Sequence, residues 1–356
     1  MTYKKKVLIV SDAISIGGAE VYIKNLINLM GEENYTFKVY GDISLQSLIP
    51  DAIGGRIDNK KPFQTIKAFL QTVRVEKPDI IHLNLSYPIS CFWIQLISLF
   101  LPKIKIYGTL HLAIPVKRIK VFKRVLRYTF KKMKLILVSH SAKTELLDYY
   151  GLDTEQMQVI PNWVDIEYYN IPHQEIIEKN KKDLGIEDHS KVGLFIGRFE
   201  EQKNIIHLIE LCNELIKRDS RWIFYIVGDG SLKENIKNKI NILNLSDKVF
   251  LQPFTSDTKK YYSVSDAFFL LSKYECAPLT LLESMACGVS PIVSDVGDMK
   301  VMVGDNKVIY SETTKEDFIS AVEYSVSKGN SSWRKVVEEK YSPSTALERM
   351  KDIYEQ

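Results

Sequence analysis

Two carboxylates with seven residues between them, Glu275 and Glu283, bracket a stretch suited to a charged, hydroxyl-rich ligand. The apolar run Ala267-Phe268-Phe269-Leu270-Leu271-Ser272 ahead of them reads as a buried parallel strand. Beyond them, Ser284-Met285-Ala286-Cys287-Gly288 reads as the end of a helix stopped by glycine. Pro278 suits the first helical position, where its missing N–H costs nothing, and Gly288 suits the position just past the end. Glu275 is therefore expected on the loop at the strand's carboxyl end, and Glu283 more than a turn into the helix. Between them, the free amides of Leu279 and Thr280 would point out of the helix N-terminus and offer a site for phosphate. An anion site with a carboxylate for hydroxyls on each side suits a nucleotide-sugar. The plainer alternative is an N-terminal acid favoured by the helix dipole and one solvated glutamate.

Three more places carry chemistry. Gly197-Arg198-Phe199-Glu200-Glu201-Gln202-Lys203-Asn204 follows the strand-like Val192-Gly193-Leu194-Phe195-Ile196 directly, so Arg198 and Lys203 flank a short loop at the sheet's carboxyl end. A leaving diphosphate accumulates negative charge, and an Arg and a Lys together stabilise it without a metal. Gly17-Gly18-Ala19-Glu20 joins the first strand to the first helix, where glycine lets backbone approach a phosphate. The dinucleotide fingerprint GxGxxG is absent, which argues against an NAD enzyme. His111, in Gly108-Thr109-Leu110-His111, lies beyond the strand-like Ile104 to Tyr107. It is placed at the edge of a crevice, or else serves as a hydrogen-bonded structural histidine.

These residues need a frame to hold them, and the chain supplies two. At 356 residues it exceeds what one core usually supports. Strand-like Val7-Val10, Phe37-Tyr40, Ile80-Leu83, Ile104-Tyr107 and Leu135-Val138 alternate with helix-like segments, as in a parallel sheet covered on both faces. The polar stretch around Pro161-Asn162-Trp163 and Pro172-His173 breaks the pattern. A second series follows at Val192-Ile196, Ile223-Val227, Val249-Leu251, Ala267-Leu271 and Ser290-Val293. The expectation is α/β: two doubly wound, Rossmann-like domains over 1–165 and 166–341, facing each other across a crevice at their sheets' carboxyl ends. Ser342-Pro343-Ser344 to Tyr354 reads as a final helix capped by serine.

Composition excludes several classes. The apolar run after Lys4-Lys5-Lys6 is four residues long, too short for an export signal. Cys91 to Leu101 is too short to span a bilayer and reads as a buried helix. The four cysteines show no CxxC pairing, as expected of a reduced cytosolic protein without a zinc site. Net charge is +4, but residues 1–165 hold 23 basic and 14 acidic side chains while 166–356 hold 25 and 30. Most of that excess lies in 103–134, with eleven basic residues and no acid. Apolar positions 119, 122, 126 and 130 share one helical face there, as in a basic amphipathic helix against an anionic membrane or a polyanionic acceptor. The alternative is a surface helix packed on its own domain.

GGAE, GRFEEQKN, Val227-Gly228-Asp229-Gly230 and ECAPLTLLESMACGV followed by Ser294-Asp295-Val296-Gly297 occur in that order. Together they resemble the retaining glycosyltransferases of family 4, with the GT-B fold, over most of the chain. The resemblance implies a metal-independent hexosyltransferase without a cofactor. Its donor is a nucleoside-diphosphate sugar, UDP-sugar favoured, and its acceptor a cell-envelope, polysaccharide or lipid-linked glycan. It implies that Arg198 and Lys203 grip the pyrophosphate, and that Glu283 binds ribose while Glu275 orients the transferred sugar. It further implies that Leu279, Thr280 and Gly18 present amides to phosphate, with Gly228 among the nucleotide-binding positions. His111 faces the donor sugar, and the last helix crosses back to the N-terminal domain. No nucleic acid is implied, and the expected location is cytoplasmic, peripheral at the inner membrane face through 103–134. Other readings are a GT-B epimerase or phosphorylase, and a non-catalytic partner subunit. The family's usual EGFG or EGFP becomes Glu275-Cys276-Ala277-Pro278, its Pro-Asn-Gly-Val-Asp becomes Pro161-Asn162-Trp163-Val164-Asp165, Val301 replaces an acid, and Asn204 replaces the glycine after the lysine.

Overall fold

The computed structural model describes residues 4–31, 33–114, 120–152, 155, 157–311 and 314–355, with the side chains of 120–122 excepted. Two compact units result, one of residues 1–162 with 346–356 and the other of residues 163–345.

The first unit runs β1 (Lys5–Ser11), α1 (Gly18–Met30), β2 (Tyr35–Gly41), β3 (Ile53–Gly54), α2 (Pro62–Glu76), β4 (Ile80–Leu85), α3 (Phe92–Ser98), β5 (Lys105–Leu110), α4 (Lys120–Lys131), β6 (Lys134–Leu137), α5 (His140–Tyr150) and β7 (Met157–Val159). Its strands pair in parallel in the order β3-β2-β1-β4-β5-β6-β7. The second runs α6 (Gln174–Leu184), β8 (Lys191–Ile196), α7 (Ile205–Arg218), β9 (Trp222–Val227), α8 (Lys233–Ile242), β10 (Val249–Gln252), α9 (Thr258–Tyr262), β11 (Ala267–Leu270), α10 (Leu279–Ala286), β12 (Ser290–Ser294), α11 (Met299–Val303), β13 (Ile309–Tyr310), α12 (Lys315–Ser327) and α13 (Asn330–Lys340), and the last helix, α14 (Pro343–Glu355), belongs to the first unit from Ala346 on. Its parallel order is β10-β9-β8-β11-β12-β13.

Both orders reverse direction once, between β1 and β4 and between β8 and β11. Right-handed crossovers then place helices on opposite faces of each sheet, and the loops leaving the two strands at the reversal diverge. That divergence opens a crevice at the strands' carboxyl ends, so loops 197–204 and 271–278 meet where α/β folds bind ligands. The central strands are apolar because both faces are covered: Val7 to Val10 are at most 1% exposed, and Ala267 to Leu270 are fully buried.

Three expectations need correction. Cys91 to Leu101 is not a buried helix throughout, since α3 ends at Ser98 and Phe100 is 75% exposed. The strand expected at Ile104–Tyr107 extends through Leu110, so Gly108 and Thr109 are ladder residues and His111 comes directly after the strand. Pro278 is the N-cap of α10 rather than its first residue, with φ −69° and ψ 127°. Helix α14 supplies Ala346 onward to the first unit, where the Tyr354 ring meets Tyr35 edge-on at 5.3 Å and its hydroxyl bonds His82.

Candidate active site

In the second unit, the loop after β8 and the loop after β11 are tied into one surface. Gln202 donates its side-chain amide to the Tyr274 carbonyl at 2.9 Å, and Lys273 donates its backbone N–H to the Gln202 carbonyl at 2.8 Å. Ser294 donates to the Ser272 carbonyl at 2.6 Å, and the Asp298 amide donates to the Cys276 carbonyl at 2.9 Å. Gly297 sits between these bonds with φ +57°, where a Cβ would run into the Glu275 and Cys276 carbonyls.

On this clamped loop Glu275 pairs with Lys203: Nζ and Oε1 form an ion pair, and the two side chains are only 13% and 9% exposed. The Ser272 hydroxyl donates to the same oxygen at 2.9 Å. The lysine expected to hold phosphate and the glutamate expected to orient a sugar are therefore direct partners. An ammonium carries three donors, so Lys203 can keep Glu275 and still turn a proton toward a phosphate oxygen. Lys203 ends a short 3₁₀ turn, Glu201–Lys203, and Asn204 follows with φ +54°. Asparagine tolerates the left-handed region better than most residues, so it fills the glycine's place after the lysine with little backbone cost.

Arg198 is exposed, and no side-chain hydrogen bond or ion pair engages its guanidinium among the described residues. Its loop is braced by the Val227-Gly228-Asp229-Gly230 stretch. The Phe199 amide donates to the Asp229 carbonyl at 2.8 Å, and the Leu232 amide donates to the Phe199 carbonyl at 2.9 Å. Gly228 has φ +152°, and a Cβ there would overlap the Gly197 carbonyl. Gly228 thus supports the Arg198 loop by close backbone packing.

The first amides of α10, those of Leu279 and Thr280, have no side-chain cap. They and the helix dipole offer positive potential to an anion. One turn on, Glu283 is 8% exposed and accepts from the Tyr262 hydroxyl at 2.9 Å, with the Tyr169 hydroxyl nearby also favouring its charged form. Burial pushes its carboxyl up to about 7 against the lowering effect of the two tyrosines. A solvated surface glutamate is therefore ruled out.

In the first unit, Gly18 opens α1 and a Cβ there would meet nothing within 4 Å, so internal packing does not call for glycine. The neighbouring Gly17 amide is already used, donating to Glu20 Oε2 at 3.0 Å; burial pushes that carboxyl up to about 7. His111 Nε2 lies 2.8 Å from Asn84 Oδ1, while Asn84 Nδ2 donates to the Ala19 carbonyl at 3.1 Å. The second bond fixes the amide's orientation, so Nε2 carries the imidazole proton and Nδ1 remains an acceptor. Burial, with the His82 charge second, lowers the ring to about 3, and His111 is neutral.

The structure brings Lys203, Glu275, Leu279, Thr280 and Glu283 onto the adjoining β11–α10 segment and β8 loop, with Gly228 behind Arg198. Gly18 and His111 belong to the first unit. Sequence reasoning missed Ser272, Gln202, Ser294, Tyr169 and Tyr262. Ser272, a hydroxyl closing an apolar run three residues before Glu275, was the only one with a local signal. In the basic segment, Leu126 and Phe130 are buried in their own unit, while Arg124, Arg127, Tyr128, Lys131 and Lys132 are exposed. The two described apolar positions thus pack inward; position 119 and the side chain at 122 lie outside what is described. No helix among the described residues is long and apolar enough to cross a membrane.

Two protein families match the chain in tandem: glycosyltransferase family 4 over residues 16–168, and glycosyl transferases group 1 over residues 176–340. The Escherichia coli UDP-Gal:alpha-D-GlcNAc-diphosphoundecaprenol alpha-1,3-galactosyltransferase is 27% identical over 286 residues, 78% of this chain and 73% of that protein. The amylovoran biosynthesis glycosyltransferase AmsD of Erwinia amylovora is 22% identical over 98% of this chain and 99% of its own. Among solved structures, Anabaena HepE in complex with UDP-glucose superposes with TM-score 0.83 at 16% identity, covering 98% of this chain and 99% of that one. That likeness establishes the fold as GT-B.

Proposed function

The chain belongs to the family 4 type of glycosyltransferase with the GT-B fold, and from that premise we propose that it moves a hexosyl group from a nucleoside-diphosphate sugar to a lipid-linked or polysaccharide acceptor with retention at the anomeric carbon. The observation that carries this reading is the buried Lys203–Glu275 pair beside the uncapped start of α10, with Glu283 one turn behind. A UDP-sugar is the first donor to try, since the E. coli relative is named for UDP-Gal and the Anabaena structure holds UDP-glucose.

In the proposed reaction the α10 amides, Lys203 and Arg198 take the diphosphate. As the bond from the anomeric carbon to the phosphate oxygen breaks, negative charge grows there. Fixed positive groups meet that charge without reorganising, and they do so without calling on a metal. The departing oxygen takes the proton of the acceptor hydroxyl as that hydroxyl attacks from the same face. Glu275, held by Lys203 and Ser272, accepts from a sugar hydroxyl and fixes the ring. Glu283 accepts from the ribose. The neutral His111 offers Nδ1 as an acceptor to a sugar hydroxyl, and Gly18 leaves its backbone open to an approaching group.

Losing one preorganised donor of this kind costs about 10²–10³ in rate. Lys203→Ala and Arg198→Ala should each lower kcat for transfer by about that factor while circular dichroism stays near wild type. Tm should hold for Arg198→Ala and fall for Lys203→Ala, which leaves Glu275 buried without its counter-ion. Near-normal transfer by both variants would end this assignment. We further propose that the exposed basic side of α4 rests against an anionic, cytoplasm-facing membrane surface, where each basic side chain contributes about 1 kcal/mol.

A further inference from the structure

Helix α10 carries Glu283 into a nearly closed compartment whose walls donate hydrogen bonds. Tyr262, on α9 and 1% exposed, donates to Oε2 at 2.9 Å and also lies 3.3 Å from the Thr280 carbonyl. Tyr169 comes from the segment before α6, and its ring meets that of Tyr262 edge-on at 6.1 Å. Its hydroxyl stands 3.4 Å from the Thr258 hydroxyl, and its nearness to Glu283 favours the charged carboxylate. Arg334, on α13, holds this segment in place, donating to the carbonyls of Tyr169 at 3.0 Å, Ala286 at 2.9 Å and Ile166 at 3.1 Å. The other titratable groups nearby are the Cys287 thiol at the end of α10 and, acting on that thiol, Lys259 and Arg334.

A carboxylate offers about four acceptor positions. The Tyr262 phenol occupies one of them, and even with Tyr169 turned to a second, two remain, which is the number a vicinal diol needs. We propose that Tyr262, with Tyr169 packed against it, is a positioning residue for donor recognition: it fixes the Glu283 carboxylate in one rotamer, favours its charged form, and leaves two acceptor positions toward the ribose hydroxyls. This rests on the reading of Glu283 as the ribose-binding carboxylate.

The sign of the pH effect follows. Burial raises the Glu283 carboxyl to about 7, so the charged acceptor forms as pH rises through neutrality, and nucleotide affinity rises with it. Removing a donor to the charged form raises that carboxyl further. Tyr262→Phe keeps the ring packing and removes the bond. It should move the midpoint of the affinity–pH profile up by about one unit and weaken binding several-fold at pH 7.

The test is calorimetric titration between pH 5.5 and 9, using whichever of UDP, GDP or ADP raises the wild-type Tm most. Wild type, Tyr262→Phe, Tyr169→Phe and Glu283→Gln are compared. Ligand ionisation is common to all four and cancels in the comparison. The proposal expects an upward midpoint shift in both tyrosine variants and a flattened profile with weakened binding in Glu283→Gln. If Glu283→Gln binds weakly while the tyrosine variants keep the wild-type midpoint, the positioning role is overturned and the ribose reading stands. If Glu283→Gln binds as wild type does, or if none of the three nucleotides binds, the ribose reading falls and this proposal with it. Should Tyr262→Phe fail to fold, Tyr169→Phe decides the matter by the same shift.

Discussion

Ser272 places its hydroxyl 2.9 Å from Oε1 of Glu275, the oxygen that also takes the Lys203 ammonium. Two donors on one oxygen hold the carboxylate in a single orientation, and only Ser272 can be removed without removing a charge. Its loss forfeits about 1 kcal/mol of net hydrogen bonding, equivalent to about a fivefold fall in rate. Ser272→Ala should therefore lower kcat about fivefold with donor affinity little changed; an unchanged kcat would mean that Lys203 alone sets the orientation. The residues that meet a ligand were legible because the amino-acid types and their spacing are local. Their partners were not. Tyr262 lies far from Glu283 in sequence and joins it only through tertiary packing. Asn204, which looked like a departure at a glycine position, takes a left-handed backbone that glycine would also accept.

Elements announced themselves in proportion to their length and burial. Val7 to Val10 and Ala267 to Leu270 were visible as unbroken apolar runs because each lies between two layers of helices. The short strands β3, β7 and β13, of two or three residues, carry too little periodicity to be read. Helix α4 shows a different limit. Its pattern gave an amphipathic helix, but pattern alone does not say whether an apolar face meets lipid or its own core, and Leu126 and Phe130 meet the core. What remains outside is charge: Arg124, Arg127, Lys131 and Lys132, with Tyr128 56% exposed among them. Membrane contact through this helix is therefore expected to be electrostatic. The protein should float with vesicles containing anionic lipid and not with neutral ones, and salt should release it over the range where the Debye length shrinks below about 10 Å. Equal recovery with both vesicle types would remove the membrane role from α4.

At the scale of the molecule, the two sheets share one order over six strands, the first adding β7 at its edge, each reversing beside its first strand, and this repetition was foreseeable from alternating strand and helix signals. The final helix was readable as a helix, but its contribution to the first unit depends on Tyr354 reaching His82 and Tyr35, contacts between opposite ends of the chain. The second unit concentrates the groups assigned to the donor: an ion pair, an uncapped helix start and a buried carboxylate. The most direct measurement is the change in Tm of wild type and Lys203→Ala across a panel of UDP-, GDP- and ADP-sugars. At least one donor should stabilise the wild type, and the same donor should fail to stabilise the variant, each shift being measured against the same protein without ligand. A wild type that none of the donors stabilises, or a variant stabilised as much as the wild type, would contradict the account.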